Sequence, residues 1–286
     1  MKKFLVVGLV AFASLAATAQ TYMPALNLAA GKKYAISVST KGNTTQEAMG
    51  QKMEMPLESV NYQVLDIKAA TDKGYQASST TSRITFSMSM MGQDMSYDSD
   101  KKEDRDGKLG EGLNKQVGVT TSFEVAKDGK IIESTVVKPK SDDESQDMMA
   151  GIMSSMGVSE AATPAFNLFS EVKEMKVGDT FTETKTIDKD GEGKNSTVYT
   201  FTSLKDGVAT FTFSGTGNLD KKMTVQGMEM MSSTTNTVTG EMTVDVATGL
   251  LIKKTFKVET AGKIEVQNTE IPTTSSMVIT ITVNPA

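Results

Sequence analysis

The amino-acid sequence predicts a mainly β protein made of antiparallel meander sheets, arranged as two curved, half-barrel-like lobes with one central helix. Three observations support this fold class. Apolar and polar residues alternate along most of the chain, short glycine-bearing turns separate the alternating segments, and one segment has apolar residues at helical spacing. Alternation with a period of two sends successive side chains to opposite faces of a strand, so each such segment has one buried and one exposed face.

The alternation is clearest in residues 83–91, where apolar side chains occupy every second position: Ile84, Phe86, Met88 and Met90. Five further strands are predicted from their apolar positions, which are Tyr34, Ile36 and Val38; Ala209, Phe211 and Phe213; Met242, Val244 and Val246; Ile252, Phe256 and Val258; and Met277, Ile279, Ile281 and Val283. Turns are predicted at residues 72–74, 127–129, 205–207 and 247–249, each of which ends in glycine. Because glycine adopts the backbone conformations that tight hairpin loops require, these turns join neighbouring antiparallel strands.

A different pattern predicts a helix over residues 142–156. Ser141 and Glu144 have the spacing of a capping box, and Gly157 is a typical C-terminal stop. Apolar residues follow at helical spacing, namely Met148, Met149, Ile152, Met153 and Met156. The helix is therefore expected to have one apolar face.

The first residues have the pattern of a secretory signal peptide. Lys2 and Lys3 precede an apolar stretch at 4–16, and residues 17–19 fit the small-x-small cleavage pattern. The apolar stretch is shorter than the ~20 residues that span a bilayer, so we expect cleavage near Ala19, no stable membrane anchor and a periplasmic or secreted protein. The predicted organisation is a signal peptide at 1–19, an N-terminal β lobe at 20–140, a helix and connector at 141–170 and a C-terminal β lobe at 171–286.

The two predicted lobes resemble each other weakly. Residues 62–84 parallel residues 199–219, and residues 121–132 parallel residues 240–252, each pair as a strand, a glycine turn and a second strand. The alignment needs gaps and shares few identities, so an internal duplication and the convergence of hairpin chemistry both stay open. One continuous sheet and two separate sheets are also both compatible with the pattern.

The composition argues against several classes of function. The 286 residues include no His, no Cys and no Trp. The first absence removes the usual general base and the commonest metal ligand, and the second removes thiol chemistry and zinc–thiolate or iron–sulfur sites. A formal net charge of −5 argues against nucleic acid, whose binding depends on Lys and Arg. We therefore predict no enzymatic activity, no cofactor and no nucleic-acid partner.

The acidic segment 97–106 has the composition of a calcium-binding loop. It lacks the ligand order and the closing Glu of an EF-hand, and basic residues interrupt it. We therefore predict a solvated loop between strands at this segment.

Methionine is abundant, with 20 residues that cluster at 88–95, 148–156 and 223–231. Thioethers can bind Cu(I), but methionine also fills cores and lines surfaces that adapt to varied partners. Alternation favours core filling for the first cluster. A further interpretation is that helix 142–156 and the sheet beneath it enclose a ligand, with candidate binding residues Met88, Met90, Met148, Met149, Ile152, Met153 and Met156. No metal site is predicted.

Six segments carry a resemblance to a known family. They are GKKY (31–34), YQVLDIKAATDKGYQ (62–76), MSMMGQDMSYDSD (88–100), FEVAKDGKI (123–131), VGDTF (177–181) and VDVATGL (244–250). In this order they resemble a family of exported Bacteroidetes proteins, often lipoproteins, that is catalogued as a domain of unknown function. This chain departs from the family in lacking a lipidation cysteine. The resemblance implies curved sheets around a central helix, similar to the lipoprotein carriers of the LolA and LolB type, which hold acyl chains.

Together these observations predict a non-catalytic, exported protein of the cell envelope that binds a lipid or another hydrophobic or amphiphilic ligand. The alternative is a structural or interaction protein of the envelope with no small-molecule ligand. The oligomeric state does not follow from the sequence.

Overall fold

A computed structural model of the chain describes residues 21–48, 50–90, 93–136, 165–166, 168–170, 173–187, 192–225, 228–266 and 269–286. The described part is almost entirely antiparallel β structure, which confirms the predicted fold class. The strands are β1 (Thr21–Tyr22), β2 (Lys33–Ala48), β3 (Gln51–Ala70), β4 (Gly74–Met90), β5 (Gln93–Asp98), β6 (Thr120–Ala126), β7 (Ile131–Val136), β8 (Met175–Lys176), β9 (Thr180–Ile187), β10 (Glu192–Lys205), β11 (Val208–Val225), β12 (Met228–Asp245), β13 (Leu251–Val266) and β14 (Thr269–Pro285). Two short helices, α1 (Lys102–Arg105) and α2 (Lys108–Leu113), and a 3-10 turn (Asn114–Gln116) lie between β5 and β6.

The predicted strands and turns match the structure closely. The turn predicted at 205–207 joins β10 to β11 through Asp206 and Gly207, which have φ values of 52° and 76°. Two consecutive residues with positive φ are typical of the two-residue turn that suits the twist of antiparallel strands. Val246 was predicted to be a buried strand residue, and this is wrong: β12 ends at Asp245, and Val246 lies in the following turn with 37% of its surface exposed.

Twelve of the strands form one sheet. Its order is β7-β6-β4-β3-β2-β14-β13-β12-β11-β10-β9, and β5 pairs with the distal half of β4. Strands from the two predicted lobes meet where β2 pairs with β14, for example at Gly42 and Met277. These strands of the two predicted lobes therefore form one continuous sheet rather than two separate ones. The predicted lobe boundaries themselves stay predictions.

One large apolar cluster lies on one face of this sheet, which we call the inner face. The cluster takes residues from both ends of the strand order, such as Phe123 of β6 and Phe201 of β10. Eleven strands about 4.8 Å apart would extend for roughly 50 Å if the sheet were flat, so the sheet must curve around its core. Residues outside the sheet, including Leu26, Phe166 and Phe169, are buried in the same cluster.

A second, smaller cluster lies further along the inner face. It contains Leu57, Ile84, Phe86 and Tyr97 from β3, β4 and β5. Its remaining buried member is Leu113 of α2, which has no exposed surface, so the segment that contains the two short helices packs on the sheet. The sequence did not predict these helices. The loop predicted at 97–106 is wrong in part, because residues 97 and 98 end β5 and residues 102–105 form α1.

The two halves of the sheet repeat the same pairing pattern. Near the start of β2 the backbone N–H of Gly31 donates to the Ile67 carbonyl at 2.7 Å, and near the start of β9 the N–H of Gly178 donates to the Phe201 carbonyl at 2.8 Å. The β3–β4 pair has a bulge directly after Ile67, and the β10–β11 pair has a bulge directly after Phe201. Equivalent turns and bulges at equivalent places are not expected from hairpin chemistry alone.

A second bulge supports the same correspondence. The β6–β7 pair shifts register between Glu124 and Val125, and the β12–β13 pair shifts between Thr243 and Val244. The predicted match of 121–132 with 240–252 is therefore confirmed. The predicted match of Tyr62 with Tyr199 is wrong by three residues. Leu65 pairs with Tyr34, three residues after Gly31, just as Tyr199 pairs with Phe181, three residues after Gly178, so Leu65 is the counterpart of Tyr199.

Candidate ligand-binding surface on the inner face

A row of inner-face residues crosses five neighbouring strands beyond the large cluster. Cross-strand pairing places its members side by side in the order Met277, Gly42, Leu57, Met88, Met95. Met53 and Met55 extend the same face along β3. We call Met53, Met55, Leu57, Met88, Met95 and Met277 the methionine patch. All five methionines are partly buried, and Leu57 is 4% exposed.

Gly42 has no side chain, and the side chain of Met277 occupies the space above it in the centre of this row. A Cβ atom at Gly42 would lie 2.2 Å from the backbone oxygen of Ser276 and 2.5 Å from the Met277 Sδ atom. The thioether of Met277 therefore lies over the glycine, where the two backbones approach closely. Glycine within a strand often marks such an approach.

The next row of the inner face crosses ten strands and is mainly apolar. In sheet order its members are Phe181, Tyr199, Phe213, Gly240, Phe256, Ile279, Thr40, Ser59, Phe86 and Tyr97. Thr40 and Ser59 are directly paired and are each 1% exposed. Within the described structure neither the Thr40 Oγ1 atom nor the Ser59 Oγ atom has a hydrogen-bond partner. We call these two side chains the hydroxyl pair.

The outer face of the same strands has the opposite character. The adjoining row there consists of Val278, Lys41, Glu58, Ser87 and Ser96. Lys41 and Glu58 form an ion pair of 3.2 Å with both side chains more than half exposed. The sheet is therefore amphipathic at this point, and the methionine patch belongs to its apolar side.

Aromatic residues fill the inner face of β9 and β10 in the other half of the sheet. Phe181 stacks on Tyr199 with ring centroids 5.2 Å apart, and Phe169 meets both rings edge-on. Burial, together with the negative charge of Glu183, raises the pKa of Tyr199 to about 12. Glu183 is itself held in place, because its Oε1 atom accepts a hydrogen bond of 2.5 Å from the Ser170 backbone N–H.

The structure describes two of the seven predicted site residues, Met88 and Met90. Met88 lies in the methionine patch and packs against the second cluster, as core filling predicts. Met90 pairs with Gln93 at the β4–β5 hairpin. Five predicted residues, Met148, Met149, Ile152, Met153 and Met156, lie outside the described residues, so helix 142–156 and its packing stay predictions.

Several residues of this surface were missed by sequence reasoning. Met53 and Met55 alternate with Lys52 and Glu54, which is a strand signal, but Pro56 interrupts the pattern. Thr40 and Ser59 carry no signal at all, because hydroxyl side chains in strands normally belong to the exposed face. Their burial follows from pairing across the sheet, which a local pattern does not reveal.

A cavity lies elsewhere, on the outer face between β10 and β13. It has a volume of about 600 Å³, and its lining includes Lys194, Asn218, Thr235 and Glu259. Met88, the predicted methionine whose side chain the structure describes, does not line it. In the part of the chain that the structure describes, no three His, Cys, Asp or Glu side chains are grouped so as to hold a metal ion. No helix within the described ranges combines the length and hydropathy needed to cross a bilayer.

The fold and this surface define a β protein built on one amphipathic, twelve-stranded sheet with an apolar patch on its inner face. A model of a family of unknown function, DUF6263, matches residues 72–251, and the chain belongs to that family. This confirms the predicted membership of a family of unknown function, whereas the attribution to Bacteroidetes and the similarity to LolA and LolB stay predictions. No curated protein matches the chain.

Solved structures resemble the chain only distantly. Lipovitellin, in a structure described for its lipid–protein interactions, aligns with 91% of this chain at 13% identity and a TM-score of 0.46, and the chain spans 25% of lipovitellin's length. An outer membrane channel from Pseudomonas putida F1 aligns with 90% of this chain and 97% of its own at 8% identity and a TM-score of 0.27. The β domain of the Bordetella autotransporter BrkA aligns with 89% and 99% at 8% identity and a TM-score of 0.24. None of these scores supports an inference about function.

Proposed function

We propose that this chain is an exported, non-catalytic protein of the cell envelope whose methionine patch binds a hydrophobic or amphiphilic small molecule. The observation that carries the proposal is the row Met277, Gly42, Leu57, Met88 and Met95, which is apolar and partly buried on a sheet whose other face is polar and charged. Burial of apolar area is favourable by about 25 cal/mol per Å², so a ligand that completes the burial of this row gains affinity.

Methionine suits a site of this kind. Its side chain is unbranched and polarisable, so it adapts its shape to different apolar partners. The thioether of Met277 over Gly42 is held against backbone and could move aside without a change in the strands. The patch can therefore accept an acyl chain or another flexible apolar group by repacking side chains alone.

The alternative is a structural or interaction protein that has no small-molecule ligand. Two observations favour it: the patch does not line the cavity of about 600 Å³ on the outer face, and Met88 and Met277 both pack against the second cluster. Under this alternative the patch is simply the rim of a core.

Nile red, an uncharged dye whose fluorescence rises in apolar surroundings, distinguishes the two functions. The matched variants are Met277→Gln on the inner face and Val278→Gln on the outer face, where Val278 is 44% exposed. Binding at the patch predicts that wild type and Val278→Gln bind the dye equally and that Met277→Gln binds it at least fivefold more weakly. Equal binding by all three proteins, or no binding by the wild type, would remove the support for a ligand site.

Export is tested separately by mass. The proposal predicts that protein recovered from the periplasm or the medium begins at Gln20, after cleavage following Ala19. A full-length chain retained in the cytoplasm would contradict export and leave the binding measurement unaffected.

A further inference from the structure

We propose that the hydroxyl pair, Thr40 and Ser59, is the polar anchor of this site and that it selects an uncharged amphiphile whose head group is a hydroxyl or an ester. This inference rests on the proposed function and names its ligand class. The apolar part of the ligand lies on the methionine patch, and the head group hydrogen-bonds to the two hydroxyls.

The hydroxyl pair lies directly beside the methionine patch. On β2, Thr40 is two residues from Gly42, and on β3, Ser59 is two residues from Leu57. Residues two apart on a strand share a face and lie about 6.7 Å apart. A single amphiphile can therefore contact the patch with its apolar part and the pair with its polar end.

The two hydroxyls have hydrogen-bonding capacity that the described structure does not use. Each residue is 1% exposed, and neither hydroxyl oxygen has a hydrogen-bond partner within the described residues. A buried polar group without a partner costs about 1–3 kcal/mol, so unused pairs of this kind are rare in native proteins. Since each hydroxyl can both donate and accept, a ligand hydroxyl or an ester oxygen complements the pair.

The surroundings of the pair favour an uncharged head group. The inner-face residues next to it on β2, β3, β4 and β14 are Val38, Gly42, Leu57, Asn61, Ile84, Phe86, Met88, Met277, Ile279 and Ile281. All of these residues are uncharged. A carboxylate buried there would have no cation directly beside it; Lys254 of β13 is on the same face but two strands from Thr40, with its ammonium over the rings of Phe213 and Phe256. Burying an unpaired charge is far more unfavourable than burying a hydrogen-bonded neutral group.

The repeat shows that the fold does not require hydroxyls at these positions. In the other half of the sheet, the pairing pattern places Ile187 at the position of Thr40 and Gly193 at the position of Ser59. Those two residues are directly paired, as Thr40 and Ser59 are. Two buried hydroxyls are therefore a property of one half of the sheet, the half that also contains most of the methionine patch.

The test compares two lipids that share an acyl chain and differ in head-group charge, 1-monooleoylglycerol and oleate, as competitors of Nile red at pH 8. The wild-type protein should bind monooleoylglycerol at least tenfold more tightly than oleate. Thr40→Val and Ser59→Ala should each lower the affinity for monooleoylglycerol by about fivefold to tenfold and leave the affinity for oleate unchanged, because one hydrogen bond is lost. The control Ser39→Ala, on the outer face of β2, should change neither affinity.

Folding is monitored in the same variants. Thr40→Val should unfold at the same urea concentration as the wild type or a higher one, because a buried unpaired hydroxyl is removed. Equal affinity for the two lipids, or unchanged monooleoylglycerol binding in both variants, would overturn the anchor while the proposed function stands; the pair would then hold only ordered water. Absence of Nile red binding to the wild type would overturn the proposed function and this inference with it.

Discussion

Two buried tyrosines provide a matched test of how polar groups are satisfied in the large cluster. Tyr22 is 4% exposed and Tyr75 is 7% exposed, and both belong to that cluster. The Tyr75 hydroxyl donates a hydrogen bond of 3.0 Å to the Leu26 carbonyl, whereas the Tyr22 hydroxyl is buried and has no partner within the described residues. Replacing each by phenylalanine removes one oxygen atom from nearly the same environment, so the two variants differ in the hydrogen bond alone.

The expected effects have opposite signs. Tyr22→Phe removes an unsatisfied hydroxyl, whose burial costs about 1–3 kcal/mol, so the free energy of unfolding should rise by roughly 1 kcal/mol. The phenylalanine ring keeps the contacts with Phe201 and Phe211, whose ring centroids are both 6.0 Å from that of Tyr22. Tyr75→Phe breaks the bond to Leu26 and leaves a carbonyl without this partner, so the free energy of unfolding should fall by about 1–2 kcal/mol.

Urea denaturation followed by circular dichroism measures both values under the same conditions. A difference of 2 kcal/mol or more between the two variants, with Tyr22→Phe the more stable, is expected from these estimates. If Tyr22→Phe were destabilised as much as Tyr75→Phe, the Tyr22 hydroxyl would have a partner in solution, and the assignment of unsatisfied groups on the inner face would be wrong.

Three further predictions concern the core, the seam of the sheet and alkaline pH. Leu113→Ala empties a site with no exposed surface and should lower the free energy of unfolding by about 3 kcal/mol, whereas truncation of the exposed Ile132 should change it by less than about 0.5 kcal/mol in urea denaturation. Gly42→Ala should lower the free energy of unfolding by about 1–3 kcal/mol, because the new Cβ would meet the Ser276 backbone oxygen. The control Gly112→Ala in α2, whose Cβ would meet nothing within 4 Å, should be neutral or stabilising. A thermal melt in which Gly42→Ala is the more stable variant would contradict the close approach of β2 and β14. Burial raises the pKa of Tyr199 to about 12, so its contribution to stability is fully present below pH 10. The contribution is lost as the pH rises toward 12, by about 1.4 kcal/mol per pH unit. The urea midpoint should therefore fall less steeply between pH 8 and 11.5 in Tyr199→Phe than in the wild type.

Much of the fold could be predicted from local patterns. Strands such as β4, β11 and β14 have apolar residues at every second position, and the turns that precede β4 and β11 end in glycine, so element type and facing followed directly. The single sheet could not be predicted in this way, because the pairing of β2 with β14 joins residues more than 200 positions apart. No local signal distinguishes that pairing from two separate sheets.

The short helices were hidden for a different reason. Leu109, Leu113 and Val117 are spaced by four residues, which is a helical signal, but Gly110 and Gly112 interrupt it. Glycine within a helix is destabilising relative to alanine, so a sequence pattern with two of them does not favour a helix. Packing of Leu113 on the second cluster overrides this preference.

The candidate site was predicted only in part. Methionine alternation located Met88 correctly on an apolar face, but Met95 and Met277 join it through cross-strand pairing. Thr40 and Ser59 lie on the inner face although their side chains are polar, so a pattern that assigns polar residues to the outside misplaces them. Such departures from local rules are expected at functional sites.

Native mass spectrometry of the protein, purified without detergent, tests the central proposal most directly. A ligand held on the methionine patch predicts an additional mass of one lipid-sized molecule in the wild type and in Val278→Gln, and its loss in Met277→Gln. A bare chain in every sample, after exposure to monooleoylglycerol as well as before, would contradict ligand binding and leave the patch as part of a closed core.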